Sequence, residues 1–355
     1  MTRLAILCNE VEDDHRLWVE ACRELADRVV YEEVDLTKAD WLERIVNGRF
    51  DGLLAIPGGW STSFKVMYDE RVSILHRVLG LPVFPYLDEL LLYENKKYLA
   101  YWLAAQGIPH PRTAVFYHEA EALAHVGQAQ LPLVAKTSVG ASGDGVRILR
   151  SREEARAYVR RTFSGGGAPK RSGPKWWKKG FAQRVVRHLR DPRAFKARMD
   201  RFRVMRAESQ KDFVILQEHV PHTYEWRAVR IGDSFFAHKK LVKGDKASGS
   251  LLKEYGDPPR ALLDLLRDIT ERHGFRSQAI DVFETTDGRY LVNEMQCIFG
   301  QSDPHQMIVD GVPGRYVFEQ GAWRFEPGSF NRIESFLPRL EFFLQELHAR
   351  RSGRP

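Results

Sequence analysis

The chain has 355 residues, 43% hydrophobic and 28% charged. At ~100–200 residues per domain that length predicts two or three structural units, and the composition excludes a disordered, collagen-like or mucin-like chain. The formal charge of +7 is concentrated: between residues 170 and 206 fourteen Lys/Arg face only Asp191 and Asp200, which leaves the remainder at −5. Basicity therefore belongs to one segment, no nucleic-acid motif accompanies it, and nucleic acid is not the expected partner.

The longest apolar run, residues 98–105, is far short of the ~20 residues that span a bilayer, and the N-terminus lacks a secretory pattern. Cys8, Cys22 and Cys297 are too scattered for a disulfide framework or a zinc knuckle. A soluble cytoplasmic protein is expected, with oligomeric state open and a homodimer among the options.

In chain order, apolar runs at 4–7, 52–56 and 81–85 read as strands. Leu17, Trp18, Cys22 and Leu25 between the first two have helical spacing. Such alternation predicts a largely parallel α/β unit over residues 1–90. A helix should start after Asn95 and end at Gly107, before Pro109. Strands follow at 113–116, 133–138 and 146–149, the last two joined by a glycine-rich turn at 140–145. The capping pattern Ser151-Arg152-Glu153-Glu154 opens a helix over 151–162. Residues 164–174 read as a loop, and the basic stretch 180–206 has the apolar spacing of one or two amphipathic helices. Beyond it, 213–218, 226–231 and 235–241 read as strands with a turn at Gly232-Asp233, and 258–272 as a helix. Strands 278–284 and 289–296 form a hairpin across Asp287-Gly288, and 334–350 is a last helix.

Four features carry chemistry, and their order matters more than any one. Lys96 precedes the Gly107-Ile108-Pro109 break. Lys136 ends an apolar strand beside the glycine-rich turn, where an ammonium and backbone N–H groups suit a polyphosphate. A strand running into Glu218, His219 and Val220 can present backbone groups to a purine edge, and Glu225, seven residues after Glu218, a carboxylate to ribose hydroxyls. Asp281 on one hairpin strand, with Glu294 and Gln296 on one face of the other, makes an all-oxygen set suited to Mg²⁺.

These residues resemble the ATP-grasp superfamily over roughly residues 90–310. The resemblance implies an ATP-grasp fold, α/β plus α+β, with a Rossmann-like domain preceding it. Its divisions are 1–90, a domain that helps bind substrate; 91–212, an N-terminal lobe with the flap and a basic insertion at 165–206; and 213–355, a C-terminal lobe. It implies ATP and Mg²⁺ as cofactors. Lys96 and Lys136 correspond to the phosphate lysines, and Ser138, Gly140, Ser142, Gly143 and Gly145 to the mobile flap. Glu218 and Val220 match the adenine hinge, Glu225 the ribose carboxylate, and Asp281, Glu294 and Gln296 the metal ligands. Arg227, Lys239 and Lys240 would form the catalytic anion clamp. The stretch 238–250 resembles a cationic segment of ATP-grasp proteins associated with polysaccharide clusters. This sequence departs from the pattern in carrying Gln296 where Asn is usual, and in the roughly fifty residues before the hinge strand.

The implied activity is an ADP-forming carboxylate–amine ligase working through an acyl phosphate. A phosphotransferase acting on a sugar or polyol hydroxyl would use the same ATP residues, and a non-enzymatic nucleotide or polyanion binder would rest on the basic segment. Small-molecule or carrier-bound acids and amines are the expected substrates, contacted by the loops at 57–64, 222–225, 246–250 and 300–305.

Overall fold

The computed structural model describes residues 1–58, 61–140, 145–168, 210–243, 246–247, 252–299 and 301–353. The helices expected at 180–206, nearly all of the basic insertion, and Ser142 and Gly143 of the expected flap lie outside the described residues. The chain divides into two compact units, residues 1–58, 66–111 and 220–355 in the first, and 59–65 with 112–219 in the second.

The first unit begins with β1 (Thr2–Cys8), α1 (Arg16–Glu24), β2 (Val29–Asp35), α2 (Trp41–Gly48) and β3 (Gly52–Ala55). Next come α3 (Thr62–Ser73, in this unit from Val66), β4 (Val83–Phe84), α4 (Leu87–Leu92) and α5 (Lys96–Ala105). The strands are parallel in the order β2-β1-β3-β4. Central β1 and β3 are buried on both faces, as their unbroken apolar runs require. Edge strand β2 carries Glu32 and Glu33, which interrupt its apolar pattern and hide it from a sequence reading. Asn95 caps α5 by accepting from the Tyr98 N–H, as its position before the helix predicts.

The second unit holds β5 (Thr113–Phe116), α6 (Glu119–Gln128), β6 (Leu133–Lys136), β7 (Val146–Leu149), α7 (Arg152–Arg161) and β8 (Val214–Glu218). Its antiparallel sheet runs β5-β8-β6-β7. Ser151 accepts from Glu154 N–H at the start of α7, the capping arrangement read from the sequence. Ala122, Val126, Ala155 and Val159 from the two helices pack with Leu133, Ala135, Leu149 and Leu216.

The rest of the first unit is built on a nine-stranded sheet. Its strands are β9 (Tyr224–Ile231), β10 (Ser234–Lys243), β11 (Lys246–Ala247), β12 (Lys253–Glu254), β13 (Ser277–Glu284), β14 (Tyr290–Gln296), β15 (Ile308–Val309), β16 (Val312–Glu319) and β17 (Ala322–Pro327). The main order is β14-β13-β9-β10-β16-β15, with β11 and β12 on β10 and β17 on β16. Helix α8 (Arg260–Arg272) lays Leu262, Leu263, Leu266 and Ile269 into the core beneath it. The hairpin β16–β17 escapes the sequence reading because Pro313 and the charges at Arg315, Glu319, Arg324 and Glu326 break its alternation. Helix α9 (Phe336–Arg351) returns to the parallel sheet at the other end of the chain. Phe336 meets Trp18 edge-on at 4.7 Å and Phe343 stacks on Phe84 at 5.4 Å. The parallel sheet therefore owes part of its core to a helix at the far end of the sequence, which no local pattern announces.

Candidate active site: a charged row across the antiparallel sheet

The turn at Gly232-Asp233 places Ser234 opposite Ile231, so every later pair of the β9–β10 hairpin is fixed: His238 faces Arg227 and Lys240 faces Glu225. On the other side of β9, Asp281 of β13 lies opposite Arg227, and Glu294 of β14 lies opposite Asp281. One row thus runs His238, Arg227, Asp281, Glu294 across four strands, with the Glu225–Lys240 pair beside it on the same face.

The row is tightly paired. Arg227 donates to both Asp281 oxygens, Nε at 2.9 Å and Nη2 at 3.0 Å. Lys240 Nζ reaches Asp281 at 2.6 Å and Glu225 at 2.9 Å, with all three side chains 10% exposed or less. Lys96, the first residue of α5, lies 3.4 Å from Glu294 and 3.2 Å from Glu94. Burial by itself penalises each of these charges, and the partners override it. Desolvation would raise the Asp281 carboxyl, yet Arg227 and Lys240 hold it far below the ordinary range. Desolvation would likewise lower the three cations, but Asp281 raises Arg227 and Lys240, and Glu94 with Glu294 raises Lys96.

Lys239 is not part of this row. Side chains alternate along a strand, so Lys239 points to the opposite face, over the Tyr224 and Trp226 rings and 3.0 Å from Glu254. Gln296 lies on the same face as Glu294, two residues on and opposite Ala279. Val220 lies in the loop before β9, where its carbonyl accepts from His222 Nδ1 at 2.7 Å.

Three participants were not anticipated. The β13–β14 pairing slips by one residue between Asp281 and Val282, leaving Asn293 as an extra residue whose amide lies 3.4 Å from Glu225. Glu94, just before the Asn95 cap, supplies the second carboxylate on Lys96. His238 is 1% exposed, and its Nδ1 must donate to the Gln306 carbonyl at 3.0 Å, which leaves a buried Nε2 with no hydrogen-bond partner among the described residues. Burial, then Arg227 and Lys253, push this imidazole down to about 3, so it is neutral. The Gly232-Asp233 turn could have announced His238, since a two-residue hairpin fixes its pairing. No sequence signal marks the slip at Asn293.

In the second unit Lys136 ends β6, 9% exposed. The turn that follows is held through its backbone: Gln210 Oε1 accepts from Ser138 N–H and Val139 N–H at 2.6 and 3.1 Å, and Gln210 Nε2 donates to the Val139 carbonyl. Thr137 N–H donates to the Gly145 carbonyl at 2.9 Å. A Cβ on Gly145 would sit 1.8 Å from Thr137 Oγ1, and Gly140 has φ +146°, so both positions demand glycine. Glu218 ends β8, and its carboxylate accepts from Arg112 N–H and Nε.

For a metal, the first unit offers hard oxygen donors on one face: Asp281, Glu294 and the Gln296 amide. That chemistry fits Mg²⁺. Asp281 already accepts three hydrogen bonds from cations, so Glu294 and Gln296 are the better placed of the three.

No protein-family model matches this sequence, and no curated protein matches it. Solved structures do. A RimK domain ATP-grasp protein from Sphaerobacter thermophilus is 20% identical, with 83% of this chain and 90% of that one covered at a TM-score of 0.51. D-alanine–D-alanine ligase from Bacillus anthracis is 13% identical over 99% of this chain and 100% of its own, at 0.53. N5-carboxyaminoimidazole ribonucleotide synthetase from Thermotoga maritima is 13% identical over 86% and 70%, at 0.50. The chain has the ATP-grasp fold. Among the described residues no helix is long and apolar enough to cross a membrane.

Proposed function

We propose that the protein is an ATP-dependent carboxylate–amine ligase. The observation that carries this reading is the charged row: Arg227 and Lys240 converge on Asp281, with Glu225 and Glu294 adjoining on the same sheet face and Lys96 reaching Glu294 from α5. Fixed cations amid oxygen donors suit charge developing on a transferring phosphoryl group. The fold's neighbours include enzymes named as ligases and synthetases, which favours the same general kind.

A carboxylate is a poor electrophile. Its oxygen attacks the γ-phosphorus of ATP, ADP leaves, and an acyl phosphate forms. An amine then attacks the acyl carbon and expels inorganic phosphate, forming the amide. Lys136, Arg227 and Lys240 are assigned to phosphate charge, Glu225 to the ribose, and the backbones of Glu218 and Val220 to the adenine. Lys96 is assigned with Lys136 to the phosphates, held beside Glu294 by its ion pair. Bound Mg²⁺ would supply charge neutralisation at the phosphates, held by Glu294, Gln296 and Asp281. Ser138, Gly140 and Gly145, with Ser142 and Gly143, are assigned to covering the phosphates. Lys239, facing away, has no assigned step.

A phosphate-release screen of amino acids and sugar acids against an amine panel, with mass detection of adducts, tests the reading. A ligase releases phosphate only when acid and amine are both present. Phosphate appearing covalently on a hydroxyl acceptor would establish the kinase reading in its place. Lys136→Ala and Glu294→Ala should each abolish turnover with far-UV circular dichroism unchanged, and wild-type turnover by Glu294→Ala would refute the metal assignment.

A further inference from the structure

Three side chains of different chemistry meet at the carboxyl edge of the parallel sheet, apart from the charged row. Cys8 closes β1, Glu33 lies on β2 opposite Ile6, and His15 immediately precedes α1. Cys8 and Ile6 point to one face of β1, so Cys8 and Glu33 share that face, where α1 begins. The Cys8 sulfur, a His15 ring nitrogen and a Glu33 oxygen lie within 4.8 Å of one another. His15 Nε2 is 2.7 Å from Glu33, and the buried His15 Nδ1 has no hydrogen-bond partner among the described residues. The Cys8 thiol is buried and donates only a long contact, 3.6 Å, to the Ile6 carbonyl. Burial first, then Glu33 and Asp35, push it up to about 12, so without a cation it stays protonated.

Thiolate, imidazole and carboxylate are the donor types of zinc, whereas magnesium avoids sulfur. One thiolate, one carboxylate and a neutral imidazole balance a divalent charge. Zinc bonds of ~2.0–2.3 Å place tetrahedral ligands roughly 3.3–3.8 Å apart. The 2.7 Å His15–Glu33 pair would open slightly and the widest separation close by about an ångström, a side-chain adjustment rather than a backbone one.

We propose that Cys8, His15 and Glu33 form a three-ligand Zn²⁺ site with an open fourth position. The site lies at the strand ends where open parallel sheets commonly present their ligands. On binding, Cys8 gives its proton to solvent, a sulfur–zinc bond replaces the S–H bond, and the His15–Glu33 hydrogen bond gives way to two metal bonds. Water completes the shell until a donor group of a small molecule displaces it. The site is independent of the ligase reading.

The test uses the full chain stripped with chelator and titrated with Co²⁺ as a spectroscopic probe. One equivalent should produce a thiolate-to-cobalt charge-transfer band with the intense visible bands of four-coordination, and Zn²⁺ should bleach both. Cys8→Ser should lose the charge-transfer band, while Cys22→Ser and Glu294→Ala should keep it. Should Cys8→Ser fail to fold, half-exposed Glu33→Gln serves, with Co²⁺ affinity falling at least about tenfold and the melting temperature in chelator unchanged. Zn²⁺ should also raise the wild-type melting temperature, because the assembled site binds it more tightly than the unfolded chain does. Identical cobalt spectra for wild type and Cys8→Ser, an unaltered affinity in Glu33→Gln, or only the weak bands of six-coordination would overturn the proposal.

Discussion

Lys239 and Lys240 are neighbours in sequence with opposite fates. Lys240 is 7% exposed and locked between Glu225 and Asp281, whereas Lys239 is 27% exposed over two aromatic rings with Glu254 beside it. The strand backbone is the same for both, and only the alternation of the pleat separates them. Composition cannot distinguish such lysines, but register can. The charged face concentrates buried ions that must be mutually paired, whereas Lys239 lies at a part-exposed margin of the other face, where its single ion pair with Glu254 is screened by water.

The contrast can be broken by experiment, starting where the effect is largest. Arg227→Ala leaves Asp281 buried with Lys240 as its remaining cationic partner. Stability measured by urea unfolding should fall by about 3–5 kcal/mol, as expected when a buried pair loses one partner. A double variant that also carries Asp281→Ala should recover part of that loss; a purely additive result would show that the row is not coupled. Lys240→Met should then reduce ATP-dependent phosphate release by about 10²–10³-fold, the scale of losing one fixed donor to developing charge. Equal activities for Lys240→Met and Lys239→Met would erase the distinction between the faces.

His238 sharpens the comparison through pH. Its folded value is depressed to about 3 against an ordinary 6.5, so between those values the unfolded chain binds a proton that the folded chain refuses. Its contribution is complete above pH 6.5 and is lost as pH falls toward 3. Arg227, Lys253 and Asp281 are the charged groups acting on it. Stability followed from pH 6 to pH 4 should drop less steeply in His238→Leu, by roughly 1 kcal/mol per pH unit. A parallel drop in both proteins would mean that the imidazole is not buried neutral. The smallest effect belongs to Lys239→Met, which removes two cation–π contacts and a part-exposed ion pair and should cost about 1–2 kcal/mol by urea unfolding, with turnover within a few-fold of wild type.

Much of this architecture was legible because its signals are local. The capping residues Asn95 and Ser151, the turns Gly232-Asp233 and Asp287-Gly288, and the apolar runs of β1 and β3 each act within a few residues. The choice between Lys239 and Lys240 was in principle legible as well. Counting back from the Gly232-Asp233 turn pairs Glu225 with residue 240, a step that treating the two lysines as interchangeable overlooks. The same counting fails on the other hairpin, where pairs from the Asp287-Gly288 turn hold to Val292 and then slip. The packing of α9 on Trp18 and Phe84, and the meeting of His15 with Glu33, join segments whose sequences carry no mark of each other.

That slip has a consequence of its own. An ordinary strand gives every second side chain to each side, but β14 sends Asn293 and Glu294 toward the same side in succession, one reaching Glu225 and the other Lys96. The strand is one residue longer than its partner needs. Excising Asn293 would leave a regular ladder with Glu294 still opposite Asp281, whereas excising Val292 would turn a polar amide into the packed interior shared by Val282 and Met295. Within this stretch the alternation of faces survives the loss of residue 293, though its contact with Glu225 goes, and does not survive the loss of residue 292.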